Sequence, residues 1–128
     1  MKPETCSLVV TQNGKEIFTH TGSWLHPLFE LEKFLDENGI DPATLFLQDK
    51  IVGRAAAFLI VGMGITRVKA LTLSDLGKRV FEENSVEYQY DTLVDRILCR
   101  TERMLAETSD PLEARALLYG LLKESGDR

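Results

Sequence analysis

Leu45-Phe46-Leu47-Gln48-Asp49-Lys50-Ile51-Val52-Gly53-Arg54-Ala55-Ala56-Ala57-Phe58-Leu59 is the stretch that decides the fold of this chain. Leu45, Phe46 and Leu47 form a short apolar run set off by Pro42, the pattern of a buried strand. From about Lys50 to Gly64 the chain is apolar almost all round, which predicts a helix covered on both sides. A strand that delivers charged residues to the start of a buried helix is where an α/β protein usually keeps its site.

Upstream, Ser7 to Thr11 and Glu16 to Thr19 are β-rich and flank Asn13-Gly14, a dipeptide that accepts the positive φ angles of a tight type I′ turn. A β-hairpin therefore opens the chain. Pro27 suits a first helical position, and Leu28, Leu31, Phe34 and Leu35 repeat at helical spacing as far as Gly39. Downstream, Arg67 to Leu73 reads as a central strand, and Ser74 caps a helix through Leu76, Val80 and Phe81. Val86-Glu87-Tyr88-Gln89-Tyr90 alternates strictly, as a half-exposed strand near a sheet edge does. Between Asp91 and Leu105 the residues Leu93, Val94, Ile97 and Leu98 hint at helical turns. Asp110-Pro111-Leu112-Glu113 joins an N-cap, a proline and a capping-box acid ahead of Ala114, Leu117, Leu118, Leu121 and Leu122, so an amphipathic helix is expected there. The sum is one α/β domain over residues 1–128, with a mixed sheet of about five strands covered by helices.

The 128 residues are 44% hydrophobic, enough for a single buried core. A net charge of -5 argues against general nucleic-acid affinity, which depends on neutralising phosphates. From Lys50 to Arg79, however, six cations (Lys50, Arg54, Arg67, Lys69, Lys78, Arg79) stand against Asp75 alone. That third carries +5 and leaves -10 for the rest, a local field suited to a small anion. Cys6 and Cys99 match neither a disulfide framework nor a zinc spacing. The longest apolar run, Ala55 to Met63, falls well short of the roughly 20 residues that span a bilayer. A soluble cytoplasmic protein with no membrane association is expected, and a homodimer is the prior for so small a domain.

On a helix, Lys50 and Arg54 would share a face near its positive end, which calls for a negative group. Asp49 as N-cap, an acid such as Asp91 or Asp95, or a bound anion could supply it. An internal ion pair or plain solvated cations is the leading structural explanation, since charge runs are usually surface. Gly53 inside a helix costs roughly 1 kcal/mol and needs a reason, either close approach by a strand or room for a ligand. His26, before Pro27, places a polar group at a second helix start, although a lone histidine is more often a hydrogen-bonded loop residue. Trp24 is more commonly core packing than the roof of a flat ligand. No cofactor motif or metal-ligand constellation is present, and Gly62-Met63-Gly64 lacks the third glycine of a dinucleotide fingerprint.

The hairpin with Asn13-Gly14-Lys15, the span from Gly22 through Pro27-Leu28, Gln48-Asp49-Lys50-Ile51-Val52-Gly53-Arg54-Ala55-Ala56-Ala57 and the closing Asp110-Pro111-x-Glu113-Ala114 together resemble one family. It is a small prokaryotic family of unknown function whose fold is similar to cytidine deaminase. The resemblance covers nearly the whole chain and implies a three-layer α/β/α sandwich around a mixed sheet, with no settled activity. Zinc deaminases need a His or Cys ligand with a glutamate at one helix start and Pro-Cys-x-x-Cys at the next. Set against the strand Arg67 to Leu73, those places hold Val52-Gly53-Arg54 and Asp75-Leu76-Gly77-Lys78-Arg79, so zinc-dependent deamination is expected to be absent. Relatives are also expected to carry an Asn-Arg and a Gly-rich loop with Cys-Pro before the last helix. Here Cys99-Arg100 runs straight into Thr101-Glu102-Arg103, and only Arg100 matches.

Two functional readings follow. In the first, His26, Asp49, Lys50, Gly53, Arg54 and Arg100 line a site for a small anionic ligand, a nucleotide or phosphorylated metabolite by fold analogy. In the second, a metal-free enzyme uses Lys50 for proton transfer or amine chemistry, with Asp49 positioning it and Arg54 lowering its pKa. An interaction module built on the edge strand Val86 to Tyr90 is a third possibility.

Overall fold

A computed structural model describes residues 7–22, 25–95, 105 and 110–126. Strand β1 (Leu8–Gln12) and strand β2 (Lys15–His20) form the expected hairpin, with Asn13 at φ 54° and Gly14 at φ 81°. Helix α1 (His26–Asn38) begins with Pro27 in its first turn and stops at Gly39, whose φ of 60° ends it in the left-handed region. A single 3-10 turn (Pro42–Thr44) leads into β3 (Leu45–Val52), followed by α2 (Arg54–Met63), β4 (Arg67–Ser74), α3 (Asp75–Glu83), β5 (Glu87–Val94) and the final helix α4 (Pro111–Gly126).

The strands form one mixed sheet in the order β2-β1-β3-β4-β5. β1 is antiparallel to both its neighbours, while β3, β4 and β5 are mutually parallel. β2 and β3 therefore point the same way, and four strands end at one edge. The register puts Leu8, Val10, Leu45, Leu47, Val68 and Ala70 on one face, and all six are buried. Phe18 on this face meets Phe34 of α1, and Tyr88 meets Phe81 of α3. Right-handed crossovers place α2 over the same face between them. On the opposite face only Val52 and Leu73 are buried, whereas Val9, Phe46, Gln48, Lys50, Lys69 and Leu71 are half-buried.

Residues 54–60 of α2 are all buried, as an all-round apolar helix demands. The sheet, α3 and α4 cover it. α4 contributes Ala114 and Leu118 to the core and reaches α1 through Tyr119, which packs edge-on against Phe29. Leu117, expected on its buried face, is 42% exposed instead, because the face that docks passes through 114 and 118.

Three further expectations need correction. The strand that begins at Leu45 runs on through Val52, so Asp49 and Lys50 are strand residues and no helix starts at Lys50. β-branched Ile51 and Val52 pair with Thr72 and Leu73 of β4, and Gln48 and Asp49 before them pair with both β1 and β4, so the ladder carries the strand through the three polar residues. Gly53 is the N-cap of α2, not an interior helical position, and the helical-glycine cost does not apply. The edge strand extends beyond Tyr90 to Val94, so Leu93 and Val94 belong to β5 and not to helical turns. Ile97, Leu98, Cys99 and Arg100 lie outside the described residues, as do Cys6 and Trp24.

Candidate functional site

The shared carboxyl edge of β2, β3, β4 and β5 is also where α1, α2 and α3 begin, each right after a strand or a short loop. Helix N-termini carry partial positive charge, and here three point toward one strip of the molecule. Ser74 caps α3 by accepting from Gly77 N–H at 3.0 Å. The N-caps of α1 and α2 are Leu25 and Gly53, neither of which makes a side-chain cap hydrogen bond.

Asp49 lies three residues from the end of β3, on the helix-covered face, with Leu8 beside it on β1 and Ala70 beside it on β4. Leu47 and Ile51 precede and follow it on that face. No cation occupies any of these four positions. Burial pushes the Asp49 carboxyl up from 3.8 to about 7, against the weaker downward pull of the Lys50 and Ile51 backbone N–H groups. Ile51, next along the strand, is 58% exposed, so this carboxyl sits at the border between core and solvent.

His20 occupies the matching position on β2, across Leu8 from Asp49 and roughly 10 Å away, at two strand spacings. Its Nδ1 accepts from Gly22 N–H at 2.8 Å, which puts the proton of the neutral ring on Nε2. Ser7 ties the two strands together. Its N–H and hydroxyl both donate to the His20 carbonyl, at 2.9 and 3.2 Å, and its own carbonyl accepts from Lys50 N–H at 3.0 Å.

Lys50 alternates to the face opposite Asp49, so the two adjacent charges project to different sides of the sheet. Arg54 is 4% exposed within the helical layer. Its Nε donates to the Leu105 carbonyl at 2.6 Å and its Nη1 to the Leu76 carbonyl at 3.0 Å, while the guanidinium carbon lies 5.0 Å from the centre of the Phe58 ring. Main-chain carbonyls thus meet part of the demand for negative charge at Arg54. The i,i+4 pairing of Lys50 with Arg54 does not exist, because one is in a strand and the other in a helix.

Gly53 lies under the first turn of α3. A Cβ at Gly77 would come within 3.0 Å of the Gly53 carbonyl oxygen and 3.2 Å of that of Val52, so the close approach is between two backbones. His26 is exposed at the first position of α1. Asp49, Lys50 and Gly53 thus lie at the end of β3, Arg54 at the start of α2 and His26 at the start of α1, all along the carboxyl edge, with Asp49 and Lys50 on opposite faces. Arg100 lies outside the described residues.

His20 has no metal-ligand spacing and Ser7 no nucleophile-elbow context in the sequence, and in the structure both are hydrogen-bonded residues of the hairpin. Once the hairpin is paired with the central strand, the register puts Ser7 next to Lys50 and His20 one strand further out, across Leu8 from Asp49. No signal in the sequence marks the Leu105 carbonyl as a partner of Arg54.

Among the described residues no group of three or more His, Cys, Asp or Glu side chains could hold a metal ion. No helix among them is long and apolar enough to cross a membrane. A family profile described as a domain of unknown function, DUF1893, matches residues 1–122. The crystal structure of a DUF1893 family protein from Thermotoga maritima is similar to this chain, with a TM-score of 0.83 and 26% identity, over 91% of this chain and 81% of that one. No curated protein matches it.

Proposed function

The chain belongs to the DUF1893 family, and from that premise we propose that its carboxyl edge binds a small anion, a nucleotide or phosphorylated metabolite, on a deaminase-like fold that lacks the zinc donors. The observation that carries this reading is the convergence of three helix N-termini, two without side-chain caps, on an edge that also holds Lys50 and Arg54. Backbone N–H groups and the helix dipole at such a place favour negative charge. Asp49 is compatible with an anion there. With its carboxyl pushed up to about 7, it is largely protonated below neutrality and donates a hydrogen bond where an ionised carboxylate would repel.

The deaminase-like part rests on the strand order and on crossover helices that succeed one another along it. In that scheme a strand separates the two ligand-bearing helices. Taking β3 as that strand puts His26-Pro27-Leu28 at the first helix start and Gly53-Arg54-Ala55-Ala56-Ala57 at the second. Leucine stands where the glutamate belongs and no cysteine follows, so the donor set does not fit zinc in this register either.

Thermal-shift measurements with nucleoside mono- and diphosphates test the reading. Stabilisation that Lys50→Ala reduces is expected, and no shift with any phosphate overturns it. Arg54→Ala is the wrong probe, because it removes contacts that hold the fold.

The second reading, metal-free proton transfer, is favoured by one observation, the near-neutral titration of Asp49 at a strand's carboxyl end. It moves the proton-transfer role from Lys50 to Asp49, since Arg54 no longer adjoins the lysine along a helix.

A further inference from the structure

The outer edge of β5 stands apart from the carboxyl-edge site. Six of its eight residues are exposed, including Tyr90 at 40% and Leu93 at 40%. Among the described residues no strand pairs with its outer side, and its pairing with β4 continues from Glu87 to Val94 without a register shift. Natural sheet edges are usually blunted by charged side chains, lysine above all, by proline, a bulge or short length, or by a covering helix or loop, and here Glu87 and Asp91 are the only such device among the described residues. This strand has no proline, lysine or arginine, and its eight residues are more than a hairpin-sized edge.

Its charge has one sign. From Val80 to Asp95 the chain carries five acids (Glu82, Glu83, Glu87, Asp91, Asp95) and no lysine or arginine. One of these five, Asp91, is paired within the sheet, with Lys69 at 3.2 Å. Alternation sorts the strand into two stripes. Glu87, Gln89, Asp91 and Leu93 project on one face, while Tyr88, Tyr90 and Thr92 project on the other. The Tyr88 and Tyr90 rings stack at 6.5 Å, a flat apolar bed alongside the open hydrogen-bonding edge.

We infer that this edge docks an extended, basic segment of another protein, which adds to the sheet as a sixth strand. Main-chain pairing with β5 supplies affinity. Cations at alternate positions answer Glu87 and Asp91, and the intervening apolar side chains lie on Tyr88 and Tyr90. A second copy of this chain suits the edge poorly, because it brings the same carboxylates against themselves.

The test uses the full chain and a fluorescein-labelled eight-residue peptide of alternating lysine and valine, followed by fluorescence anisotropy. Saturable binding is expected, together with slowed amide exchange over residues 87–94. Binding should weaken at least tenfold for the same peptide N-methylated on alternate backbone amides, and at least tenfold for a glutamate-valine peptide. Glu87→Gln combined with Asp91→Asn should weaken it several-fold, with Glu87→Gln alone as a milder variant that leaves the Lys69 pair intact. Equal binding of the N-methylated peptide would show loose electrostatic attraction and overturn the proposal. So would indifference to the glutamate-valine substitution, or self-association of the chain that grows when Glu87 and Asp91 are neutralised.

Discussion

Replacing Asp49 with asparagine should make the protein more stable at pH 8 and leave it little changed at pH 4. Asparagine has nearly the same shape and never ionises, so the variant isolates the charge. In the unfolded chain the Asp49 carboxyl titrates near 3.8, and in the folded chain near 7. Below both values each state holds the proton and the group contributes nothing to pH dependence. Between them the folded state holds a proton that the unfolded state has released, so stability falls as pH rises through this window. Above about 7 both states are ionised and the full penalty stays. The gap between 3.8 and about 7 corresponds to about 4 kcal/mol. Because Asp49 is only half-buried, solvent screening reduces the working figure to about 2–3 kcal/mol. For a domain of this size that is a melting-temperature gain of about 10 °C for Asp49→Asn at pH 8. Urea titrations of both proteins at half-unit intervals from pH 4 to 8 measure it. The stability difference between variant and parent should open progressively across the interval. A difference that stays flat, or one that opens as pH falls, would refute the assignment of a burial-raised carboxyl.

Other substitutions probe the frame of the same edge. Arg54→Ala strands two main-chain carbonyls and removes the stack on Phe58, and should destabilise by about 3 kcal/mol in chemical denaturation. Arg54→Lys should recover little, because an ammonium group lacks the planar fork that reaches both carbonyls. Gly77→Ala forces a Cβ to 3.0 Å from the Gly53 carbonyl oxygen, and the resulting shift should cost about 1–3 kcal/mol despite alanine's better helix propensity. Ser74→Ala removes the buried cap on Gly77 N–H and should cost about 1–2 kcal/mol. The Ser74 and Gly77 effects share one helix turn, so the double variant should depart from additivity in a thermal melt.

The hairpin, the first helix, the Ser74-capped helix and the interior strand Arg67 to Leu73 are legible from local chemistry. Asn13-Gly14, Pro27, Gly39 and Ser74 each satisfy a backbone need within a few residues. The boundary between β3 and α2 was not legible. Gln48, Asp49 and Lys50 look like the polar start of a helix, and only their pairing with β1 and β4 keeps them extended. Lys50 and Arg54 have helical spacing in sequence, but whether that spacing is realised depends on partners outside the segment. The edge itself was foreseeable as a strand-to-helix junction. That Asp49 faces four uncharged neighbours depends on the register between strands, which no single segment contains.

Arg54 also bears on how the chain assembles as it is synthesised. Its two carbonyl partners come from residues 22 and 51 positions further on, so its final surroundings do not exist until the polypeptide has been made past Leu105. A nascent chain that stops at β5 already contains all five described strands, yet it still carries a cation at the start of α2 without the Leu105 carbonyl that accepts from its Nε. The last part of the chain therefore closes a charge-bearing joint in the middle of the fold. A ribosome-bound fragment ending near residue 95 should stay protease-sensitive around α2 and turn resistant only once the final helix has emerged.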